Sequence, residues 1–184
     1  MNPIAEQHSQ ASPEIMSKAK NIKLVVFDVD GVLTDGRLFF DLHGNEYKSF
    51  HVQDGHGIKL LQSTGVDVAI ISGRDSPIVT ARMASLGVKH IFQGQEDKTA
   101  TFERLREALH LQPEDIAHVG DDLPDLSLFG RVGLAIGVAD CNPALNPYLH
   151  WKTRAAGGHG AAREVCDLIL DAQGHLQQIV DQHR

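Results

Sequence analysis

The sequence predicts a doubly wound, Rossmann-like α/β fold, with parallel strands in one sheet and helices on both of its faces. Strand-like segments alternate with helix-like segments along most of the chain, which is the order that βαβ units produce. The first strand-like segment, Leu24–Phe27, is apolar at every position, as expected for a strand buried on both faces of a parallel sheet. Polar residues directly follow several of these segments, at the edge where ligands of open α/β sheets bind.

The individual elements follow from local start and stop signals. We expect strands at residues 24–27, 66–71, 90–92, 116–119, 134–136 and 149–151, and helices at residues 54–64, 76–86, 99–110, 123–129 and 161–172. Asp54 is suited to begin a helix, and Ser76 followed by Pro77 combines a capping hydroxyl with a proline in the first turn. Gly65 and Gly87 are suited to end the first two helices.

Between the first strand and the first of these helices, residues 37–41 and 46–52 are β-prone and flank His43, Gly44 and Asn45. This pattern predicts a β-hairpin, here called the hairpin flap. The aromatic residues Phe39, Phe40, Tyr47 and Phe50 lie within it, out of seven Phe and two Tyr in the chain. A two-stranded flap cannot bury so much apolar area alone, so it either folds onto its own domain or pairs with flaps of neighbouring subunits.

The bulk properties indicate one domain with a short arm. Residues 1–20 are polar, lack the apolar core of a signal peptide and are expected to form a flexible N-terminal arm that is frayed or weakly helical. Residues 21–184 are expected to form the domain, with a C-terminal tail. The net charge of −7 without a basic cluster argues against nucleic-acid binding. No apolar segment approaches the ~20 residues that span a membrane. Two cysteines without CxxC spacing fit a reducing cytoplasm.

Two carboxylates follow the first strand in the sequence Asp28-Val29-Asp30-Gly31. Because side chains alternate along a strand, Asp28 and Asp30 can point the same way, with Cα atoms roughly 6–7 Å apart. Aspartate and glycine are also favoured in turns, so this motif alone does not separate a functional site from a strand end.

Three more strand ends carry polar residues. Ser72 follows the second strand, Lys98 precedes a helix, and Asp121, Asp122 and Asp125 follow the strand at 116–119. Ser72 suits a turn, and the aspartates suit the amino end of a helix. Lys98 opposes the helix dipole there, which indicates a nearby anion; Glu96 and Asp97 are local candidates.

Taken together, the order of FDVDGVLTDG, IISGR, DK and GDDLPD resembles that of the haloacid dehalogenase-like phosphohydrolases, over about residues 22–172. The resemblance implies that Asp28 is the nucleophile and Asp30 the general acid and base. It implies that Mg²⁺ is held by Asp28, the Asp30 carbonyl and Asp121, and that Ser72 and Lys98 bind the phosphoryl oxygens. Neither interval between these motifs is long enough for a cap domain, so a capless member is expected.

Within the capless group, the sequence resembles phosphatases of bacterial lipopolysaccharide synthesis that act on 3-deoxy-D-manno-octulosonate 8-phosphate, an acidic sugar phosphate. The resemblance implies a homotetramer joined through the flaps, with sites near the subunit interfaces. The residues implied as substrate contacts are Asp30, His51, Val52, Gln53, Asp54, Gly55, Lys59, Arg74, Arg82, Lys98 and Asp122. Their cations would concentrate positive charge in an acidic protein. Arg82 also fits a solvated helix face.

Three other functions compete with this prediction. A phosphatase for the 9-phosphate of a nine-carbon, sialic-type acid keeps the same chemistry and stays open. A catalytically silent assembly module is disfavoured because every catalytic residue type is present. A response-regulator receiver domain is disfavoured because its acidic pair precedes the phosphorylated aspartate, whereas here the candidate nucleophile comes first and the acidic cluster late.

Overall fold

A central six-stranded sheet organises the structure, a computed structural model that describes residues 11–182. The strands are β1 (Leu24–Phe27), β2 (Phe39–Phe40), β3 (Glu46–Tyr47), β4 (Asp67–Ile71), β5 (His90–Phe92), β6 (Ile116–Gly120), β7 (Leu134–Gly137) and β8 (Trp151–Lys152). The central sheet has the order β5-β4-β1-β6-β7-β8, and all neighbouring strands are parallel. The doubly wound parallel sheet is therefore confirmed.

Helices connect these strands. They are α1 (Pro13–Lys20), α2 (Val52–Ser63), α3 (Pro77–Ser85), α4 (Lys98–Ala108), α5 (Leu126–Phe129), α6 (Ala161–Ala172) and α7 (Leu176–Gln182), and three short 3₁₀ segments lie at Pro113–Asp115, Leu123–Asp125 and Pro143–Tyr148. Between β1 and α2 the chain forms only the hairpin flap, and between β4 and α4 only α3 and β5, so neither interval holds a cap domain. Within residues 11–182, no helix combines the length and apolarity needed to cross a membrane.

The sheet order places β1 in the middle of the sheet, between β4 and β6. The chain passes from β1 outward to β4 and β5, and then returns to the other side of β1 as β6, β7 and β8. The direction of winding therefore changes between β1 and β6, where Phe27 is paired with Val119. A crevice opens at such a switch point beyond the carboxyl ends of the strands. The fold thus places Asp28 and Asp121 side by side at this crevice.

The core lies on both faces of the sheet. All four residues of β1 are fully buried, and so are those of β7. Helix α6 packs against both α2 and α1, and it supplies the apolar side chains Val165, Leu168 and Ile169 to the core. Burial of this kind contributes about 25 cal/mol per Å² of apolar surface, which is the main stabilisation available to a domain without disulfides.

The N-terminal segment differs from the prediction of a flexible arm. Residues 13–20 form α1, with Ser12 Oγ accepting a hydrogen bond from the backbone N–H of Ile15 at 3.3 Å. Ile15 and Ala19 lie four residues apart on one face of this helix, and both are buried. Two apolar positions are a weak signal in a polar segment, but here they anchor the helix in the core. Residues 1–10 of the predicted arm lie outside the described residues.

Several element boundaries also differ from the prediction. Helix α2 begins at Val52, with His51 as its N-cap residue, and not at Asp54, whose carboxylate instead accepts a hydrogen bond from the Arg163 backbone N–H at 2.8 Å. Ser76 precedes α3 as predicted, but its side chain makes no capping hydrogen bond. The last strand is β8 at Trp151–Lys152 and not residues 149–151.

The hairpin flap is present, but its paired part is shorter than predicted. Only two residue pairs form the ladder, Phe39 with Tyr47 and Phe40 with Glu46. The turn is held by Asp41, whose Oδ1 atom accepts hydrogen bonds from the backbone N–H groups of His43 and Asn45, each at 2.8 Å. Phe39, Phe40 and Tyr47 are each at least half exposed. The flap therefore presents apolar area that its own subunit leaves uncovered.

Candidate active site

The loop after β1 places the two predicted catalytic carboxylates. The backbone N–H of Asp28 continues the β1–β6 ladder by donating to the Val119 carbonyl at 3.0 Å. The chain then turns sharply, with Gly31 at a φ of +88°, a conformation that favours glycine. A Cβ atom at Gly31 would lie 2.1 Å from Asp121 Oδ2, so only glycine allows the loop to approach this carboxylate. The DxDG motif therefore brings the loops of β1 and β6 together.

Three carboxylates meet at this point. Asp28, Asp121 and Asp125 each offer an oxygen, and these oxygens lie within 4.8 Å of one another. Burial, followed by repulsion from Asp125, Asp28 and Asp122, raises the pKa of Asp121 to about 8. Burial and the Asp125 charge likewise raise the pKa of Asp28, although Lys98 opposes the shift. Such crowding of negative charge favours a cation between the carboxylates.

Asp125 differs from the other two because protein donors already surround it. It accepts hydrogen bonds from Lys98 Nζ at 2.7 Å and from the backbone N–H groups of Asp121 and Asp122 at 2.9 and 3.3 Å. His118 Nε2, on β6, lies 3.1 Å from the same carboxylate. Burial alone would raise the pKa of Asp125, but His118 and Lys98 outweigh it and hold this pKa well below its usual range. Asp125 therefore orients its neighbours, and Asp28 and Asp121 are free to face a metal.

Lys98 links this network to the predicted nucleophile. Its side chain is buried, with Nζ 3.2 Å from Asp28 Oδ2 and 2.7 Å from Asp125 Oδ1. Burial lowers the pKa of Lys98, but the charges of Asp125 and Asp28 outweigh it and raise this pKa overall. The sequence indicated an anion near Lys98, and these two aspartates are that anion. Asp97, one of the local candidates, instead caps α4 by accepting from the Thr99 backbone N–H at 2.8 Å.

These groups line one open cleft of about 470 Å³ at the switch point. Its walls include seven of the predicted site residues: Asp28, Asp30, Ser72, Arg74, Lys98, Asp121 and Asp122. Ser72 is buried at the end of β4, where its backbone N–H donates to the Phe92 carbonyl at 2.9 Å. A somewhat larger groove of about 540 Å³ lies at the amino ends of the central strands. There Lys23 and Asp115 form an ion pair at 2.9 Å. The cleft at the switch point is the one where predicted catalytic groups converge.

The other predicted substrate contacts do not line this cleft within the subunit. His51, Asp54, Gly55 and Arg82 line a separate, nearly filled pocket, and Val52, Gln53 and Lys59 are exposed on α2. Burial raises the pKa of Asp54 in this pocket. The helix boundary explains part of the difference, because a start at Val52 turns the Asp54 carboxylate toward α6.

The side chains at the site that were not predicted include Lys48 and His118. Lys48, just after β3, is almost fully buried, and its Nζ contacts Asp30 Oδ1; Glu46 lies 3.4 Å from the same ammonium group. Glu46 and Lys48 are two positions apart, so in an extended segment their side chains point the same way, which was the available signal. His118 had no signal, because its partners come from β1 and from the loop after β6.

The chain is similar to known hydrolases. The family model described as haloacid dehalogenase-like hydrolase matches residues 55–133. The chain is 46% identical over 175 residues to the 3-deoxy-D-manno-octulosonate 8-phosphate phosphatase KdsC of Salmonella typhimurium, covering 95% of this chain and 93% of the relative. The chain belongs to the haloacid dehalogenase-like hydrolases and, among them, to the family of the 3-deoxy-D-manno-octulosonate 8-phosphate phosphatases.

Solved structures agree with this assignment. The phosphatase of that name from Yersinia pestis superposes with a TM-score of 0.88 at 45% identity, covering 90% of this chain and 89% of the other. The enzyme from Moraxella catarrhalis, solved in complex with a magnesium ion, a phosphate ion and a KDO molecule, superposes with a TM-score of 0.91 at 41% identity, covering 93% and 98% of the two chains. The predicted family and capless fold are confirmed.

Proposed function

We propose that the protein is a Mg²⁺-dependent phosphatase that converts 3-deoxy-D-manno-octulosonate 8-phosphate to the free sugar acid and phosphate, in lipopolysaccharide precursor synthesis. The observation that carries the proposal is the contact between a buried lysine and the candidate nucleophile, Lys98 Nζ to Asp28 Oδ2 at 3.2 Å, at the sheet's switch point. The names of the relatives supply the substrate.

The donor set fits Mg²⁺, a hard cation that prefers oxygen ligands. Asp28 Oδ1 is buried without a hydrogen-bond partner in the described structure, and the neighbouring Asp121 bears a raised pKa. Both features indicate that a bound cation would stabilise these carboxylates. Asp28, Asp121 and the Asp30 backbone carbonyl would hold the ion. When bound, Mg²⁺ screens the negative charge of the phosphate, so that a carboxylate nucleophile can approach it.

The proposed reaction has two steps. The Asp28 carboxylate attacks phosphorus and forms an aspartyl-phosphate, while the carboxyl group of Asp30 gives its proton to the departing sugar oxygen. Asp30, now a carboxylate, takes a proton from a water molecule that attacks the phosphorus and releases phosphate and Asp28. In both steps the Lys98 ammonium and the Ser72 hydroxyl bind phosphoryl oxygens and stabilise the charge that spreads over them.

The substrate's sugar acid requires cations beyond the phosphate site. Arg74 lines the cleft, with its side chain 47% exposed, and we assign it to the substrate. Whereas Asp54 and Gly55 are buried within their own subunit, we assign Lys59, Arg82 and the residues 51–53 to a neighbouring subunit's site, because they do not line the cleft of their own. A homotetramer joined through the hairpin flaps would bury Phe39 and Phe40 and bring these residues to that site. Buried free thiols at Cys141 and Cys166 are compatible with the cytoplasm.

Phosphate release with Mg²⁺ tests the proposal. The panel contains 3-deoxy-D-manno-octulosonate 8-phosphate, a 9-phosphate of a nine-carbon 2-keto acid and arabinose 5-phosphate, with Asp28→Asn as the blank. We expect the highest kcat/KM for the eight-carbon acid. Preference for the nine-carbon acid would keep the mechanism and change the substrate, since both share the 2-keto acid end. No turnover of any substrate would indicate the assembly module instead.

A further inference from the structure

Lys48 has a buried ammonium group that contacts Asp30, the candidate general acid and base. The Lys48 side chain is 1% exposed. This burial is unexpected in the hairpin flap, which carries most of the exposed large apolar residues of the described chain. A buried ammonium group is costly unless anions surround it. Two do so here: Nζ contacts Asp30 Oδ1, and it lies 3.4 Å from Glu46 Oε1.

The same carboxylate faces a second cation. Arg74 Nε lies 3.7 Å from Asp30 Oδ2, and Arg74 Nη2 lies 2.7 Å from Glu46 Oε1. The two oxygens of Asp30 are therefore flanked by Lys48 on one side and Arg74 on the other, and Glu46 bridges the two cations. Of these two cations, Arg74 lines the cleft, whereas Lys48 is not among the residues that line it. Lys48 thus contacts Asp30 without lining the cleft itself.

We propose that Lys48 is a positioning residue that fixes the Asp30 carboxyl group for proton transfer. The inference rests on the phosphatase function proposed above, in which Asp30 is the acid and base. Asp30 lies on the loop after β1, its side chain is 19% exposed, and the polar contacts of its two oxygens restrain its rotamer. The contact with Lys48 supplies that restraint from the hairpin flap. The hairpin flap thereby contributes to the reaction, in addition to presenting exposed apolar residues at the surface.

The role of Lys48 predicts a dependence on the leaving group. Loss of kcat/KM reports the steps up to departure of the alcohol. A sugar alkoxide is a poor leaving group that needs the proton from Asp30, whereas p-nitrophenolate leaves without it. Since general acid catalysis contributes roughly 10²–10⁴-fold, partial misplacement of Asp30 should cost about tenfold or more with the sugar phosphate. The same change should cost less than about threefold with p-nitrophenyl phosphate.

Lys48→Met is the test, because methionine keeps an unbranched apolar stem and removes the charge. Lys89→Met is the matched control, since Lys89 is exposed just before β5, an edge strand of the central sheet. Lys48→Arg restores a cation and should recover part of the loss. Most directly, Lys48→Met in an Asp30→Asn background should change kcat/KM less than about twofold, because a residue that acts through Asp30 has nothing left to position.

The outcomes separate this inference from the proposed function. Wild-type protein that hydrolyses neither substrate would overturn both. Active wild-type protein with equal losses for the two substrates in Lys48→Met, or a further large loss in the Asp30→Asn background, would overturn only the role of Lys48. Circular dichroism and light scattering verify fold and assembly. If Lys48→Met does not fold, Lys48→Gln carries the same comparison, and equal losses with it are again the contradicting result.

Discussion

Mg²⁺ binding to this protein should depend strongly on pH, because the candidate ligand Asp121 is protonated at neutral pH when no metal is bound. Burial and the charges of Asp125, Asp28 and Asp122 raise its pKa to about 8. A carboxyl group must lose its proton before it can bind a metal. Metal binding should therefore release a proton below this pKa and release none well above it. The perturbation is a change of pH between about 6 and 9.

The size of the effect follows from the pKa. At about pH 7 only about a tenth of Asp121 is ionised, so the apparent Mg²⁺ affinity should be about tenfold weaker than its alkaline plateau. At about pH 6 the deficit should reach about a hundredfold. The pH dependence of folding stability has the opposite sign to that of an ordinary ion-paired carboxylate, which stabilises the folded protein as the pH rises. Because the folded pKa is raised, Asp121 makes the metal-free protein less stable as the pH rises from about 4 through about 8. Mg²⁺ should restore that stability at alkaline pH.

Isothermal titration calorimetry in two buffers of different ionisation enthalpy measures both quantities. We expect close to one proton released per Mg²⁺ at about pH 7, and a plateau above about pH 8.5. Asp121→Asn should remove the proton release. An apparent affinity that stays constant between pH 6 and 8, with equal heats in both buffers, would contradict the reasoning and would mean that Asp121 is ionised or does not bind the metal.

Three further predictions concern the nucleophile, the assembly and the loop after β8. Asp28→Asn should abolish phosphate release while the circular dichroism spectrum stays unchanged; activity within about tenfold of wild type would exclude it as the nucleophile. Replacing Phe39 and Phe40, which are 50% and 58% exposed, with serine should lower the mass measured by light scattering, and an unchanged mass would contradict assembly through the hairpin flaps. Gly157→Ala places a Cβ atom 1.8 Å from the Gly31 carbonyl oxygen. A normal carbon–oxygen contact is roughly 3.3 Å, so a loop must move by about 1.5 Å, and kcat should fall about a hundredfold. Wild-type kcat in this variant would show that the two loops separate without disturbing Asp28.

The parts of the fold that the sequence predicted are those with strong local signals. Helix α6 was predicted at its observed bounds, because apolar residues recur with helical spacing between Gly160 and Ala172. Strand β1 was predicted because its apolar run is uninterrupted. Helix α1 lies in the segment predicted as a flexible, frayed or weakly helical arm. Its anchoring in the core was not predicted, because its burial depends on docking against α6, which two apolar residues in a polar segment do not reveal.

The candidate site was predictable where residues follow parallel strands directly. The carboxyl ends of β1, β4 and β6 meet at one edge of the sheet, so Asp28, Ser72 and Asp121 had to converge once the strand order was known. Lys48 and Arg82 illustrate the limit. Lys48 reaches the site because the hairpin flap brings it against Asp30, and Arg82 remains outside the cleft because α3 directs it toward Phe50. Neither direction is encoded in a local pattern.

The sequence also could not distinguish the roles of the aspartates after β6, since residue type and spacing are alike. Partners distinguish them. Asp125 accepts hydrogen bonds from Lys98 and two backbone N–H groups and faces His118, so its pKa falls, while the pKa of Asp121 rises. A carboxylate that its own protein already neutralises gains little from a metal, whereas one that is buried among like charges gains much. Asp125 therefore fixes Lys98 against Asp28. In the proposed function Asp121 would complete the metal site, because the nearby hydrogen-bond donors bind Asp125 and leave the Asp121 carboxylate to a cation.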